Sequence, residues 1–277
     1  MHGRDSESLK SYRTILSPIG GSNQMYSRNF YKVNMRTNTL SAERIISFVL
    51  SLYHPSSVID VGASGGIFLL ELMKRDVKDV MGIDGPWIPD KDIVIPKRNY
   101  LRIDLTKPFT IERKFDLCIC LEVLEHLNSE TGELLLKELT SLSDVILFSA
   151  AVPGQGGTHH VNEQWPSFWA KEFRKYGFKY IDIRPYIWND KEILPWYKQN
   201  MMIYLKDQNY NNFINKLKAF KREEPLSVIH PDMSYVSLLS LEKNLLFSRS
   251  LFIISKLLAQ IARTYTIHKK LQMEHPK

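Results

Sequence analysis

Short apolar runs alternate with helical patterns through the middle of the chain. Five of the runs end at a glycine, an acidic residue or a pair of alanines, and they cover residues 58–61, 80–83, 100–103, 117–121 and 145–149. Apolar periodicity at residues 131–142 and 165–176 predicts helices between and after them. Uniformly apolar strands separated by helices are typical of a parallel sheet covered on both faces. The pattern therefore predicts an α/β fold.

The two ends of this region have patterns of their own. An apolar stripe at Ile45, Ile46 and Val49 predicts a helix before the first strand, with Thr39 or Ser41 as its N-cap. After the fifth strand, residues 180–184 and 201–205 predict two more strands with no crossover helix between them. We therefore expect seven strands, mostly parallel, with an antiparallel last strand.

The chain divides into three parts by composition. Residues 1–40 are polar and predict a partly ordered N-terminal arm, and residues 41–206 carry the strand and helix series. Residues 207–277 are basic, with apolar positions at helical spacing, and predict a C-terminal helical extension.

Composition and charge narrow the function classes. With 277 residues and 44% hydrophobic content the chain can bury a large core, which excludes a disordered protein. The net charge of +7 lies at the ends: residues 1–50 hold seven basic and three acidic residues, and residues 201–277 hold twelve and six. The middle, residues 51–200, holds 18 basic and 21 acidic residues, so we expect no nucleic-acid partner.

The cysteines and the lengths of the apolar runs indicate the cellular location of the protein. Cys118 and Cys120 lie on one face of a predicted strand, so a disulfide between them is sterically disfavoured and we expect buried thiols. The sequence has no apolar N-terminal segment and no uncharged apolar run of membrane-spanning length. We expect a cytoplasmic protein.

Polar residues that end the predicted strands indicate a ligand site, because an open parallel sheet binds ligands at the carboxyl ends of its strands. A glycine-rich turn at residues 60–66, DVGASGG, follows the first strand. Asp84 ends the second strand, where a carboxylate can accept both hydroxyls of a ribose. Asp104 ends the third, where its carboxylate or the adjacent backbone can meet an adenine amine.

These motifs closely resemble the class I S-adenosylmethionine-dependent methyltransferases. The matching stretches are VIDVGASGG at 58–66, GIDG at 82–85, RIDL at 102–105 and FDLCICLEVLEHL at 115–127. The chain is most similar to a bacterial subfamily often linked to glycan biosynthesis, through GIDGPW at 82–87, FSAAVPGQGGTHHVNEQWPSFW at 148–169 and KYGF at 175–178. The resemblance covers about residues 45–206 and implies a Rossmann-like fold.

The resemblance also implies where S-adenosylmethionine binds. It places the ribose on Asp84, and adenine between Gly85 on one side and Asp104 and Leu105 on the other. Six residues at the ends of the first and fourth strands are expected to contact the methionine part: Asp60, Gly62, Ala63, Gly65, Leu121 and Glu122.

The acceptor side is predicted at the histidines after the fourth and fifth strands. The acceptor attacks the methyl group directly, so the protein has to align it and remove its proton. His160 is the first candidate base; His126 and His159 are further candidates, although the resembling family often has glycine at the position of His159. Trp87 and Trp165 offer flat faces on which sugars stack.

These features favour an O-methyltransferase acting on a sugar hydroxyl of a glycan or glycoconjugate. The sequence has no Asn/Asp-Pro-Pro-Tyr motif of the kind carried by enzymes that methylate amino groups. The alternatives are a small-molecule acceptor, such as a natural product or a quinone-like compound, and a serine hydrolase with Ser64 in G-x-S-x-G and His160 as its base.

A divalent metal site is a further alternative. Glu122, Glu125, His126 and the later His160 have metal-ligand chemistry, and metal-dependent small-RNA 2′-O-methyltransferases use a similar E-x-x-E-H. An E-V-L-E-H sequence at the end of the fourth strand is also frequent in methyltransferases without a metal, where the carboxylate caps a helix or closes the cofactor pocket, so we expect no metal. For the basic extension we expect a solvated packing element or a homodimer contact, with peripheral membrane binding as the alternative.

Overall fold

The computed structural model describes residues 28–206, residues 213 and 217, and residues 225–233. All of them except 231–233 belong to one compact unit that spans residues 22–230. Most of the predicted C-terminal extension, and the first part of the predicted arm, lie outside the described residues. No helix of the described part is long and apolar enough to cross a membrane.

Seven strands and six helices follow one another in residues 28–206. The strands are β1 Ser57–Val61, β2 Asp79–Asp84, β3 Tyr100–Arg102, β4 Leu117–Leu121, β5 Val145–Ser149, β6 Phe178–Asp182 and β7 Met202–Lys206. The helices are α1 Arg28–Leu52, α2 Ile67–Met73, α3 Ser129–Leu142, α4 Pro166–Arg174, α5 Arg184–Ile187 and α6 Pro195–Asn200. Short 3₁₀ turns cover Asp90–Asp92, Lys97–Asn99 and Leu124–His126.

The strands form one sheet in the order β3-β2-β1-β4-β5-β7-β6. The first five strands pair in parallel, whereas β7 is antiparallel to both β5 and β6. The predicted fold is therefore confirmed, with the last strand of the chain inserted between the two before it. The chain order reverses between β1 and β4, and such a switch point opens a crevice at the carboxyl ends of these strands.

The core on one face of the sheet is built mainly from aromatic and leucine side chains. Phe173 of α4 stacks on Tyr204 of β7, with ring centroids 3.9 Å apart. Phe148 of β5 meets both Phe173 and Trp169 edge to face, at 5.2 and 5.5 Å. Edge-to-face aromatic pairs add to the free energy of burial. This packing fixes α4, and with it the end of the loop that follows β5.

Helix α1 begins earlier than the sequence predicts. It starts at Arg28, within the predicted arm, rather than after Thr39 or Ser41. The hydroxyl of Ser41 does not cap the helix; it donates to the carbonyl of Glu192 at 3.1 Å and accepts from the N–H of Leu194 at 3.0 Å. Ser41 is fully buried, so these bonds attach α1 to the segment before α6.

Replacing Ser41 by alanine should destabilise the fold, because it leaves a buried N–H and a carbonyl without a partner. We expect the free energy of unfolding to fall by about 1–3 kcal/mol, measured by chemical denaturation. Ser51→Ala is the matched control on the same helix, since its exposed hydroxyl donates to the carbonyl of Phe48 within the same turn. The control should change stability by less than about 0.5 kcal/mol. Equal effects of the two variants would contradict the tertiary role of Ser41.

Candidate active site

The glycine-rich turn lies at the carboxyl end of β1, as predicted. Gly62 has a φ of +81° and Ser64 a φ of +48°, both in the left-handed region. A Cβ on Gly62 would overlap the side chain of Val123, which follows β4, so only glycine fits there. The N–H groups of Gly62 and Ala63 donate to the carbonyl of Ile83 at 2.9 and 3.1 Å. The turn is thus held against the end of β2.

Asp84 attaches the same turn through its side chain. Its Oδ2 accepts from the N–H of Ser64 at 2.7 Å, and its Oδ1 accepts from the N–H of Gly85 at 2.6 Å. Burial raises the pKa of Asp84, and the two N–H groups oppose that shift. A carboxylate offers about four acceptor directions, and two remain for a ligand. They suit the two neighbouring hydroxyls of a ribose.

The expected adenine contacts lie on either side of this carboxylate. The indole of Trp87 lies directly against Gly85, where a Cβ would overlap it. The carboxylate of Asp104 accepts from the N–H and hydroxyl of Thr106 at 3.1 and 2.6 Å, and it pairs with Lys107. Its side chain is committed to that turn, which favours the adjacent backbone as the adenine contact. Leu105 is buried in the core.

Asp60 lies under the turn on β1, opposite Gly82 of β2 and Ile119 of β4. Burial, followed by the nearby charge of Asp84, raises the pKa of Asp60 to about 8.

Cys118 and Cys120 are buried free thiols, as expected, and burial raises the pKa of both well above the usual value. Neither thiol is an activated nucleophile.

Glu122 is enclosed by two amides that the sequence did not indicate. Its carboxylate accepts from Gln155 Nε2 at 3.0 Å and from Asn200 Nδ2 at 3.0 Å, and Asn200 Nδ2 also donates to Gln155 Oε1 at 2.9 Å. The Oδ1 atom of Asn200 is buried with no hydrogen-bond partner among the described residues. Gln155 lies within the 148–169 stretch that carries the resemblance, so its position was a usable signal. No feature of the sequence indicated Asn200, because the pairing of β7 with β5 is what brings it next to Glu122.

A cluster of carboxylates and imidazoles lies beyond the end of β4. Glu125 and His126 are in the 3₁₀ turn that follows the strand, and His160 comes from the loop between β5 and α4. The rings of His126 and His160 meet edge to face at 4.8 Å between centroids. The N–H groups of Val161 and Asn162 donate to the carbonyl of Glu125 at 2.8 and 3.1 Å. The structure thus brings together two of the three predicted catalytic histidines.

Glu163 orients His160. Its Oε1 lies 2.9 Å from His160 Nδ1, and the carboxylate also accepts from the N–H groups of Gly154 and Gly156 at 2.8 and 2.9 Å. The other ring nitrogen, Nε2, lies beside Gly157, where a Cβ would overlap it. The glycine keeps the space next to Nε2 open. Glu163 lies within the 148–169 stretch that carries the resemblance, but the sequence analysis assigned it no role.

The members of the cluster differ in their surroundings. Glu125 is fully buried, and neither carboxylate oxygen forms a hydrogen bond of ordinary geometry in the described part of the chain. Burial, and then the charge of Glu122, raises the pKa of Glu125 well above its usual value. Burial and the neighbouring ring of His160 lower the pKa of His126. The imidazole of His126 is therefore favoured in its neutral form.

The remaining predicted residues lie at the rim. His159 is exposed and has a φ of +61°, a conformation that glycine adopts readily, which explains why the resembling family often has glycine there. Trp165 precedes α4 and is partly exposed. Ser64 lies in the glycine turn, and none of the hydrogen bonds between described residues joins it to His160.

The sequence matches no family model and no curated protein. Among solved structures it is similar to the sugar N-methyltransferase KedS8 from Streptoalloteichus sp. ATCC 53650, with a TM-score of 0.51 and 12% identity over 69% of this chain and 96% of that one. It is also similar to magnesium protoporphyrin IX methyltransferase from Synechocystis PCC 6803, crystallised with S-adenosylmethionine. The TM-score is 0.45 and the identity 18%, over 73% of this chain and 92% of that one. For an O-methyltransferase family protein from Burkholderia thailandensis the TM-score is 0.47 and the identity 13%, over 65% of this chain and 60% of that one. The likeness to KedS8 shows that this chain has the fold of class I S-adenosylmethionine-dependent methyltransferases.

The buried carboxyl of Asp60 should make stability depend on pH. Its folded pKa of about 8 lies above the ordinary value of 3.8, so the folded state binds more protons than the unfolded state between these values. The stabilisation is complete below the ordinary pKa and is lost as the pH rises through about 8. We expect Asp60→Asn to unfold with a flatter pH dependence across this interval, measured by denaturant titration at several pH values. Parallel curves for the two proteins would contradict the shift.

Proposed function

We propose that this protein transfers a methyl group from S-adenosylmethionine to a hydroxyl oxygen of a saccharide, on a glycan or glycoconjugate. The observation that carries the proposal is that two half-sites follow the carboxyl ends of parallel strands in the same sheet. One is the turn held by Asp84, which suits a nucleoside, and the other is the pair of His160 and Glu163. The resemblance of residues 148–169 to the glycan-linked subfamily supports the acceptor class.

The cofactor half-site fits S-adenosylmethionine by its donors and acceptors. The two acceptor directions left on Asp84 match the ribose hydroxyls. Glu122, held by Gln155 and Asn200, presents negative charge toward the methionine part, which is positively charged at its ammonium and sulfonium groups. When bound, S-adenosylmethionine supplies an electrophilic methyl group on the sulfonium sulfur.

The acceptor half-site supplies a base. Glu163 bonds to Nδ1 of His160, so Nε2 carries the lone pair that can take the proton of an acceptor hydroxyl. The carboxylate also stabilises the imidazolium that forms. As the proton leaves, the oxygen lone pair bonds to the methyl carbon and the sulfur keeps the electrons of the broken bond. Alignment of the oxygen with the methyl group supplies the rest of the rate enhancement.

The proposal extends to location and partners. We place the reaction in the cytoplasm, where activated or lipid-linked sugars would be the acceptors. The basic residues of 207–277 would then attract an anionic or membrane-bound acceptor, or pair two copies of the chain.

Asp84→Asn should weaken cofactor binding by tenfold or more, because a charge-assisted hydrogen bond contributes about 1.5–3 kcal/mol. Titration calorimetry with S-adenosylhomocysteine measures this directly. Asp79→Asn is the matched control, since Asp79 starts the same strand and pairs with Arg113 on the surface. It should bind within about twofold of the unchanged protein. Unchanged affinity in Asp84→Asn would refute the ribose contact.

His160→Ala should lower turnover by about a hundredfold or more while leaving affinity for S-adenosylhomocysteine nearly unchanged. The acceptor for this assay is first identified by mass spectrometry of glycans incubated with the enzyme and S-adenosylmethionine. His54→Asn, an exposed histidine before β1, is the control and should retain full turnover. Parallel losses of turnover and cofactor affinity would sink the assigned role of His160.

A further inference from the structure

We infer that Glu125, His126 and His160 bind a divalent transition-metal ion on the acceptor side of the site. This inference deepens the proposed function and rests on it. The sequence alone favoured a site without metal, because the same residues frequently close a cofactor pocket. The structure adds three observations: their proximity, the state of Glu125, and the support given to His160.

The three side chains converge on one point. Each offers one ligand atom, and these atoms all lie within 4.8 Å of one another. Ligands about 2.0–2.2 Å from one ion are separated by roughly 3–3.5 Å. Small side-chain rotations would close the remaining distance. The residues come from two segments that the hydrogen bonds from Val161 and Asn162 to the carbonyl of Glu125 already hold together.

The second observation concerns the carboxylate of Glu125 itself. It is fully buried, and neither of its oxygens forms a hydrogen bond of ordinary geometry among the residues that the structure describes, although the N–H groups of Glu125 and Ala151 lie close to it. The carboxyl group of Glu122 also lies close to it. A buried carboxylate without a partner is strongly unfavourable unless it is neutralised or binds a cation. An ion held between Glu125 and the two imidazoles would satisfy it.

The third observation is the support behind His160. Histidine ligands of metal ions usually give their second ring nitrogen to a carboxylate, which fixes the tautomer and the ring orientation. Glu163 does this at Nδ1, at 2.9 Å, and is itself fixed by the N–H groups of Gly154 and Gly156. The free nitrogen, Nε2, is then the one that binds the ion.

The donor set and its burial define the kind of ion and its use. Two imidazole nitrogens and one carboxylate oxygen favour manganese, iron, cobalt, nickel or zinc over magnesium and calcium, which prefer oxygen ligands. Glu125 is buried, His160 is half-buried and His126 is exposed, so the protein covers one side of the ion. The other side is left open to the acceptor.

An ion in this position changes how the acceptor is activated. A hydroxyl bound to it becomes more acidic and releases its proton to solvent water. The oxygen lone pair then forms the bond to the methyl carbon, the carbon–sulfur bond breaks, and its electrons remain on sulfur in neutral S-adenosylhomocysteine. In this arrangement His160 is a metal ligand through Nε2. The acceptor hydroxyl is then activated by the ion instead of by Nε2 acting as a base.

The test is metal binding by the full-length protein after treatment with a chelator that is then removed. Titration with Co²⁺, followed by calorimetry and by the visible absorption of the bound ion, should show one equivalent bound. Glu125→Gln and His126→Asn should each weaken that binding tenfold or more. His54→Asn should leave it unchanged, as a control for binding by exposed histidines. Failure of Co²⁺ to bind, or equal binding by all variants, would overturn the inference.

Thermal unfolding separates a ligand from a structural carboxyl group. Glu125→Gln keeps the shape and removes the buried carboxyl group, so without metal it should melt at or above the temperature of the unchanged protein. It should also lose the rise in melting temperature that Co²⁺ gives the unchanged protein. A large drop in the metal-free variant would contradict the inference.

Binding of S-adenosylhomocysteine by the metal-free protein distinguishes the two proposals. If S-adenosylhomocysteine binds and the chelator does not change turnover, the metal inference fails and the proposed function stands. If it does not bind with or without Co²⁺, the proposed function fails.

Discussion

The carboxylate of Asp84 joins the ends of the two strands on which the cofactor half-site is built. One oxygen holds the turn after β1 and the other holds the turn after β2, while the carbonyl of Ile83 accepts two further N–H groups from the first turn. The left-handed geometry of Gly62 and Ser64 is sustained by these bonds. A single acidic residue thus fixes the backbone and presents the ligand with acceptors of known direction.

Most of the fold could be predicted because its signals are local. The apolar runs predicted the strands. The lack of a long helical pattern between the last two runs predicted the antiparallel pairing, and the structure has only the short helices α5 and α6 there. The start of α1 was missed because Ser41, a good capping residue by type, uses its hydroxyl in a tertiary contact. N-cap preference depends on a residue and its neighbours in the sequence. It could not predict a contact between Ser41 and residues about 150 positions later.

The site was predictable at the strand ends and less so in the loops. Asp60, Asp84 and the glycine turn follow from the rule that ligands bind at the carboxyl ends of parallel strands. The enclosure of Glu122 by Gln155 and Asn200, and the support of His160 by Glu163, depend on loop conformations that spacing does not encode. The same loops gather Glu125 and the histidines into one cluster. Two chemical uses of His160, as base and as ligand, follow from the same bond to Glu163.

The placement of Asn200 has a consequence for the order of folding. It contacts Glu122 across 78 positions of the chain, through a strand that enters the sheet between two earlier ones. Contacts of such sequence separation form late, because the loop must close before any interaction rewards it. During synthesis, β1 to β5 can pair while Glu122 still lacks one of its two amide partners. The pocket can be completed only when the chain has emerged beyond residue 206, because β7 follows Asn200 directly and pairs with β5 and β6.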